Sequence, residues 1–206
     1  WNFFVKLEGS GEAPLSTGDR FGGAVELSGT TLMVGAWRQS SVVTNSGSVY
    51  VYEFDGTTWN YITRLLPESF ANDRFGRYIS IHNDRVVIAA QDTTGSGTGR
   101  VYTYEKLAGT WGRTQRFSAL DAVTGDQFGE ACGIYNDTIV VSARNASTTE
   151  RGAVYTFRYN GASWVQVQKL VAPVPRDGDL FGRDVAIEGN VLCVGENRED
   201  ATDPVP

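Results

Sequence analysis

Cysteine is scarce in this chain, with two residues among 206, and histidine occurs once. Cys132 and Cys193 lie in apolar stretches and form neither a CxxC pair nor a metal-ligand cluster. We expect both to be small buried side chains, and a disulfide between them is the alternative. His82 stands beside the Asn83-Asp84 turn, without a nucleophile motif or a second metal ligand, so we expect an ordinary turn residue.

The chain also lacks a concentrated basic face and a long apolar run. Lys and Arg number 18 against 24 Asp and Glu, a formal net charge of −6, and the basic residues are scattered. Nucleic-acid binding needs clustered cations that displace counterions from phosphates, so this charge pattern argues against it. No segment approaches the length of a transmembrane helix, and an anionic membrane surface is equally disfavoured.

Sequence motifs of common enzyme classes are missing as well. The chain contains no GxSxG, no HExxH and no phosphate-cradling loop. These motifs hold nucleophiles, zinc ions and phosphates respectively, so their absence argues against the corresponding hydrolytic and nucleotide-dependent reactions. We therefore expect a protein that is not an enzyme.

Glycine, by contrast, is abundant, with 24 residues, and much of it belongs to an internal repeat. Phe-Gly recurs at intervals of 54, 53 and 53 residues, each time with an aspartate two positions before the phenylalanine. A short apolar run follows each Phe-Gly, and the first three units continue with a Gly-x-Val-Tyr-x-aromatic segment and a Trp-initiated segment. Constant order and near-constant spacing are typical of stacked structural units. The four phenylalanines are Phe21, Phe75, Phe128 and Phe181.

Each complete unit predicts four short strands, which in the first unit cover residues 24–27, 31–35, 48–54 and 59–65. Turn signals separate them, and no span has helical periodicity. The second strand of each unit is continuously apolar, so we expect both of its faces to be covered. Four-stranded antiparallel sheets repeated about every 50 residues predict an all-β fold, a β-propeller of about four blade equivalents. We expect a partial or small propeller forming one domain over residues 1–206.

These motifs resemble the FG-GAP repeat of the integrin-α-type propeller, and more closely its bacterial-style variety. Residues 18–36 are similar to the family pattern G-D-x-F-G through V-V-G-A, and Ser46-Gly47 matches its Ser-Gly. The family's closing Lys-Leu has counterparts in Lys169-Leu170 and in residues 1–7, an additional copy of the fourth strand. The family usually has seven blades, so a segment of a longer propeller, a closed four-bladed ring and an open array completed by neighbouring chains all stay open.

Integrin-type blades often carry a D-x-D-x-D-G calcium loop, and no loop of this chain has that run. Calcium takes six to eight oxygen ligands, so several carboxylates or carbonyls must converge. The nearest candidates are Asp92 in a glycine-rich loop and Glu196 and Asp200 in an acidic stretch. Because few carboxylates converge there, we expect solvated polar loops and no cofactor.

A residue present in every unit is expected to serve the fold, so function should lie where the units differ. The aspartates before Phe-Gly are expected to cap turns, and the repeated tryptophans to pack between blades. The segment from Gly35 to Gly47 is two residues longer than its counterparts and contains Trp37 and Arg38. Both residue types are enriched at contact surfaces, so we interpret them as binding residues, with ordinary packing of Trp37 as the alternative.

Asn136 and Asn145 begin triplets that fit the N-glycosylation pattern of a protein secreted by a eukaryote, and both are predicted to be accessible. The leading functional hypothesis is a non-enzymatic extracellular or cell-surface module with a structural or adhesive role. It extends to self-association into a filament or surface layer through unpaired strand edges. The alternative is a ligand-binding propeller attached to a larger protein, with a glycan or a protein as its partner.

Overall fold

The computed structural model describes residues 5–9, 15–68, 71–92, 94, 97–146, 151–174 and 178–196. Within these residues all fourteen regular elements are β-strands, and they form three four-stranded sheets and one two-stranded sheet. Neighbouring strands along the chain pair antiparallel in each sheet. This confirms the predicted all-β propeller, in which each sheet is one blade. No helix in the described part of the chain has the length and apolar character to cross a membrane.

The strand bounds follow the repeat. Blade 1 contains β1 (Phe21–Ser28), β2 (Thr31–Ala36), β3 (Val49–Phe54) and β4 (Trp59–Leu65). Blade 2 contains β5 (Ile79–His82), β6 (Arg85–Ala90), β7 (Arg100–Leu107) and β8 (Thr110–Phe117). Blade 3 contains β9 (Phe128–Tyr135), β10 (Thr138–Ala143), β11 (Ala153–Tyr159) and β12 (Trp164–Leu170). Blade 4 contains β13 (Val185–Glu188) and β14 (Val191–Val194).

The first strands of successive blades lie side by side, so that β1 contacts β5, β5 contacts β9 and β9 contacts β13. Apolar side chains from adjacent blades fill the space between the sheets. Met33 and Val51 of blade 1 pack with Ile88 of blade 2, and Val87 of blade 2 packs with Val141 of blade 3. Each fully buried side chain of this size contributes about 1.5–3 kcal/mol, so the cores between blades are a major source of stability.

Two of the repeated tryptophans and two of the repeated aspartates have the structural roles predicted for them. Trp111 and Trp164 are buried in the cores between blades. The Asp19 carboxylate accepts a hydrogen bond from the Ser16 main-chain nitrogen at 2.7 Å, and that of Asp126 accepts one from Val123 at 2.9 Å. These two aspartates therefore cap the turns that precede Phe-Gly.

Main-chain contacts join each unit to the next. The glycine of the Gly-x-Val-Tyr segment forms a parallel β-bridge with the phenylalanine of the following Phe-Gly. The three pairs are Gly47 with Phe75, Gly99 with Phe128, and Gly152 with Phe181. At each bridge the phenylalanine nitrogen donates a hydrogen bond of 2.9–3.0 Å to the carbonyl just before the glycine. Two of the recurrent sequence motifs therefore meet directly at the junctions between blades.

The second strands β2, β6 and β10 are covered on both faces as predicted, but β14 is not. Val191 is 64% exposed and Cys193 is exposed, because among the described residues no sheet packs against that side of β14. Cys132 is buried and both cysteines are free, so the expectation of burial is right for Cys132 and wrong for Cys193. Of the predicted strand over residues 1–7, residues 1–4 lie outside the described part, and residues 5–9 are not in a strand.

Candidate functional site

One end of the blades brings together the positions at which the units differ. The antiparallel pairing places the start of each first strand beside the end of the second, as in the contact of Phe21 with Ala36. The third strand begins at this same end, because Gly47 bridges to the next Phe-Gly. We call this the turn end.

At the turn end, the long loop of the first unit, residues 37–46, is bound to the Phe-Gly turn of the second. The main-chain nitrogen of Asn72 donates to the Thr44 carbonyl at 2.9 Å, and that of Arg74 donates to the Asn45 carbonyl at 3.2 Å. Within the loop, the buried Gln39 amide donates to the Tyr50 hydroxyl at 2.8 Å. The loop is thus held against the neighbouring unit by directional contacts.

Trp37, at the start of this loop, is half-buried and surrounded by arginines. The guanidinium carbons of Arg38, Arg74 and Arg77 lie 4.9, 5.4 and 5.6 Å from the centre of its ring. Cation–π contacts of this kind contribute about 0.5–2 kcal/mol each, depending on how far they are desolvated. We call these four residues the Trp37 cluster; it contains both sequence-predicted binding residues, Trp37 and Arg38.

Space for the Trp37 ring comes from a glycine that the other units lack. Two positions after the repeated phenylalanine, the first unit has Gly23, whereas the later units have Arg77, Glu130 and Arg183. A Cβ atom on residue 23 would lie 2.4 Å from the Trp37 indole nitrogen. In the first unit, the Trp37 ring therefore occupies the place beside residue 23 that a side chain at this position would otherwise fill.

The electrostatics of the Trp37 cluster are unbalanced. Burial, followed by the positive charges of Arg77 and Arg38, lowers the pKa of the Arg74 guanidinium, while Glu130 acts in the opposite direction. Among the residues that the structure describes, no carboxylate forms an ion pair with any of these three arginines. Like charges held this close raise the free energy of the cluster, and an anion placed among them would lower it.

A carboxylate already occupies the adjoining part of the turn end. Glu130 is 0% exposed, and its Oε1 atom lies 2.9 Å from Nη1 of Arg183 and 3.7 Å from Nη1 of Arg144. Its other oxygen accepts a hydrogen bond from the Gln91 amide. We call Glu130 with Gln91, Arg144 and Arg183 the Glu130 site. The Arg77 guanidinium donates to the Gln91 side chain at 3.3 Å, which links the Trp37 cluster to the Glu130 site.

The three residues that the sequence offers as calcium ligands differ in their surroundings. Asp92 is buried, and its Oδ1 atom accepts hydrogen bonds from the nitrogen and hydroxyl of Thr94 at 2.8 and 2.6 Å, as in a local turn. Glu196 is half-buried beyond β14, and Asp200 lies outside the described residues. Across the described residues, no three His, Cys, Asp or Glu side chains are grouped so that they could hold a metal ion.

The two glycosylation candidates differ in exposure. Asn136 is exposed in the turn between β9 and β10, and its side-chain oxygen lies 3.0 Å from Nε2 of His82, which joins the corresponding turns of two blades. Asn145 is half-buried and so less accessible than predicted. Its main-chain nitrogen donates a hydrogen bond to the Asp126 carbonyl, which holds the residue against that turn. Ser147 of its triplet lies outside the described residues.

Sequence reasoning missed the arginines that complete the site. Arg74 and Arg77 flank one Phe-Gly, Arg144 and Arg183 lie in later units, and the fold gathers all four at one end. Aligning the units on Phe-Gly would have given a signal, because the position two residues after phenylalanine changes from glycine to arginine to glutamate and back to arginine.

A family model for the FG-GAP repeat matches residues 1–52, 111–157 and 164–204, more than half of the chain. It leaves residues 53–110 unmatched, although most of blade 2 lies there. A sequence search of curated proteins finds no match. The structure is similar to that of a europium-containing methanol dehydrogenase, with a TM-score of 0.52 at 14% identity over 73% of this chain and 26% of that chain. The present chain thus spans about a quarter of that enzyme, and the likeness supports the fold alone. The internal repeats of this chain and the match to the family model agree, and the chain belongs to the FG-GAP repeat family.

Proposed function

We propose that this chain is a non-enzymatic binding module whose partner docks on the turn end. The observation that supports this most directly is the Trp37 cluster, where a half-buried indole and three guanidinium groups occupy the point at which the repeat is broken. Tryptophan and arginine dominate the residues that contribute most to binding energy at protein interfaces. A glycan or a protein partner, an extracellular or cell-surface location and attachment to a larger protein are parts of the proposal.

The chemistry of the turn end favours binding over catalysis. General acid–base catalysis needs a group that exchanges a proton with the substrate near neutral pH. Arginine does not do so, and the Glu130 carboxylate is buried and engaged by Arg144 and Arg183. Burial raises the pKa of the Asp73 carboxyl to about 7, but this side chain is 2% exposed and paired with Arg100, so a substrate does not reach it. His82, the histidine of the chain, is bonded to Asn136 in a turn between first and second strands, at the other end of the blades.

The proposal is tested by probing an immobilised panel of matrix proteins and polysaccharides with the chain and its variants. Trp37→Ala and Arg38→Ala should abolish the binding that the unmodified chain shows, with far-UV circular dichroism unchanged. Arg158→Ala is the matched control, because Arg158 is an exposed arginine in β11 near the opposite end. Binding that survives both substitutions in the Trp37 cluster would exclude this surface.

Self-association is a second candidate function, favoured by the edge of β14. Among the described residues β14 pairs with β13 alone, and it contains no charged residue, unlike the outer strands β4, β8 and β12. Charged residues protect a strand edge from pairing, so an uncharged apolar edge is a template for a strand of a second copy. Sedimentation over a range of concentrations tests this. Val191→Lys should reduce association, whereas Val165→Lys, in the outer strand β12, should not. A strictly monomeric particle at high concentration would exclude self-association.

A further inference from the structure

We propose that the Trp37 cluster binds carboxylate side chains of an acidic protein segment. This rests on the proposed binding function and names the chemistry of the partner. Arg38 and the pair Arg74 and Arg77 approach one ring from two segments of the chain, so the fold joins two local groups of positive charge. The formal net charge of the chain is −6, which makes this local excess of cations more distinctive.

The Glu130 site shows how this end of the blades accommodates a carboxylate. Glu130 stands at the same position of its unit as Arg77, and Gln91 contacts both side chains. The Glu130 carboxylate pairs with Arg144 of its own unit and with Arg183 of the next. The positions around Arg77 that correspond to these two arginines hold Gln91 and Glu130. Arg77 instead shares the Trp37 ring with Arg38 and Arg74, and none of the three arginines forms an ion pair with a described carboxylate. The Glu130 carboxylate is thus already engaged by arginines, whereas the guanidinium groups around Trp37 can take an anion from elsewhere.

The surroundings favour a protein segment over a uniformly charged polymer. A nucleic acid or an acidic polysaccharide would bring regularly spaced negative charges close to Glu130 and to a chain of net negative charge, which opposes binding. A peptide presents isolated carboxylates together with apolar groups. The same loop exposes Val42 by 40%, so apolar and cationic surface occur together as in protein interfaces. Arginine also pairs with a carboxylate through two parallel hydrogen bonds, which gives geometric selectivity.

The test uses fluorescence anisotropy with a labelled synthetic peptide in which a few glutamates are separated by alanine and leucine residues. A second peptide has glutamine in place of every glutamate. We expect the glutamate peptide to bind at least about 10-fold more tightly, as lost charge-assisted hydrogen bonds imply. Binding should weaken as NaCl rises from about 0.05 to about 0.5 M, because salt screens exposed charges. Equal affinity for the two peptides would overturn the proposal.

The site is located with arginine variants. Arg74→Gln and Arg77→Gln should each weaken binding of the glutamate peptide about 10-fold. The control Arg158→Gln makes the same change in net charge at an exposed position away from the cluster and should leave affinity unchanged. Equal losses for all three would mean that the peptide responds only to net charge, and the proposal would fail.

A hyaluronate fragment with the same number of carboxylates distinguishes the partner classes. Weaker binding of the fragment than of the peptide supports the proposal, whereas equal or tighter binding overturns it in favour of a glycan. The panel experiment tests the proposed binding function separately. If Trp37→Ala abolishes binding to a panel component but the glutamate peptide does not bind, only the inference about carboxylates is refuted.

Discussion

Replacing Gly99 by alanine tests whether the main-chain bridges between units hold the blades together. Gly99 has a φ of +79° and bridges to Phe128, and a Cβ atom there would lie 2.0 Å from the Phe128 carbonyl oxygen. Gly109, in the turn between β7 and β8, has a φ of +83°, but a Cβ atom there would meet nothing within 4 Å. The two glycines therefore share a backbone conformation and differ in their contacts.

The expected destabilisation follows from this comparison. An alanine in the left-handed region costs about 1–2 kcal/mol, so both variants lose about that much free energy of unfolding. At Gly99 the added methyl must also push the Phe128 backbone away. That strains the hydrogen bond from the Phe128 nitrogen to the Thr98 carbonyl, 2.9 Å long, which contributes about 1 kcal/mol. Displacing a packed interface costs a further 1–3 kcal/mol or so. We therefore expect a loss of about 4 kcal/mol for Gly99→Ala against about 1.5 for Gly109→Ala, in a domain whose total is about 5–15 kcal/mol.

Equilibrium urea unfolding followed by tryptophan fluorescence and far-UV circular dichroism measures the difference. If the substitution uncouples blades 2 and 3, the two signals should also cease to coincide for Gly99→Ala, because stability in repeat proteins depends on contacts between neighbours. Equal shifts of the unfolding midpoint in the two variants would refute the reasoning. Gly47→Ala and Gly152→Ala should behave like Gly99→Ala, since their Cβ atoms would lie 2.1 and 2.0 Å from the corresponding carbonyl oxygens.

Three further predictions concern single side chains. Burial raises the pKa of the Asp73 carboxyl from 3.8 to about 7, so between these pH values the folded state retains a proton that the unfolded chain has released. The free energy of unfolding should therefore fall as pH rises from about 4 to about 7. Asp73→Asn should flatten this profile, measured by urea unfolding at successive pH values. Burial raises the pKa of the Cys132 thiol, so a maleimide reagent should modify the exposed Cys193 within minutes and Cys132 only after denaturation, as peptide mass mapping would show. Gly23→Ala should displace Trp37, because its Cβ would overlap the indole; a changed near-UV circular dichroism spectrum with little change in secondary structure is the expected result.

Most of the blade architecture could be predicted because the repeat presents the same physical pattern several times. The repeat predicts strands of the first unit at residues 31–35 and 59–65, and the structure has Thr31–Ala36 and Trp59–Leu65. The predicted first strand, residues 24–27, is too short, because β1 begins at Phe21 and its pairing with β2 is irregular between Phe21 and Ala24, which the sequence pattern does not show. The predicted burial of Cys193 is wrong because an apolar sequence does not reveal which faces of a strand another sheet covers.

The candidate site was predictable only in part. Trp37 and Arg38 could be identified because they lie in a loop that is longer than its counterparts. Arg74 and Arg77 could not, because cation–π geometry depends on main-chain contacts between units, such as that from Arg74 to Asn45. Arg38 lies tens of residues before Arg74 and Arg77, so only the register of the repeat shows that these side chains meet at one end.

Asp73 shows where the rule that recurrent residues serve the fold reaches its limit. Asp19 and Asp126 accept hydrogen bonds from main-chain nitrogens of their own turns, as a structural role requires. Asp73 occupies the same position but is 2% exposed and bonded at 3.0 Å to Nη1 of Arg100, for which the first and third units have serine and alanine. Burial outweighs the attraction of Arg100, and the pKa of the Asp73 carboxyl rises to about 7. A repeated side chain can therefore have different contacts and a different protonation in one blade, so recurrence assigns the position to the fold but does not determine the pKa of its carboxyl.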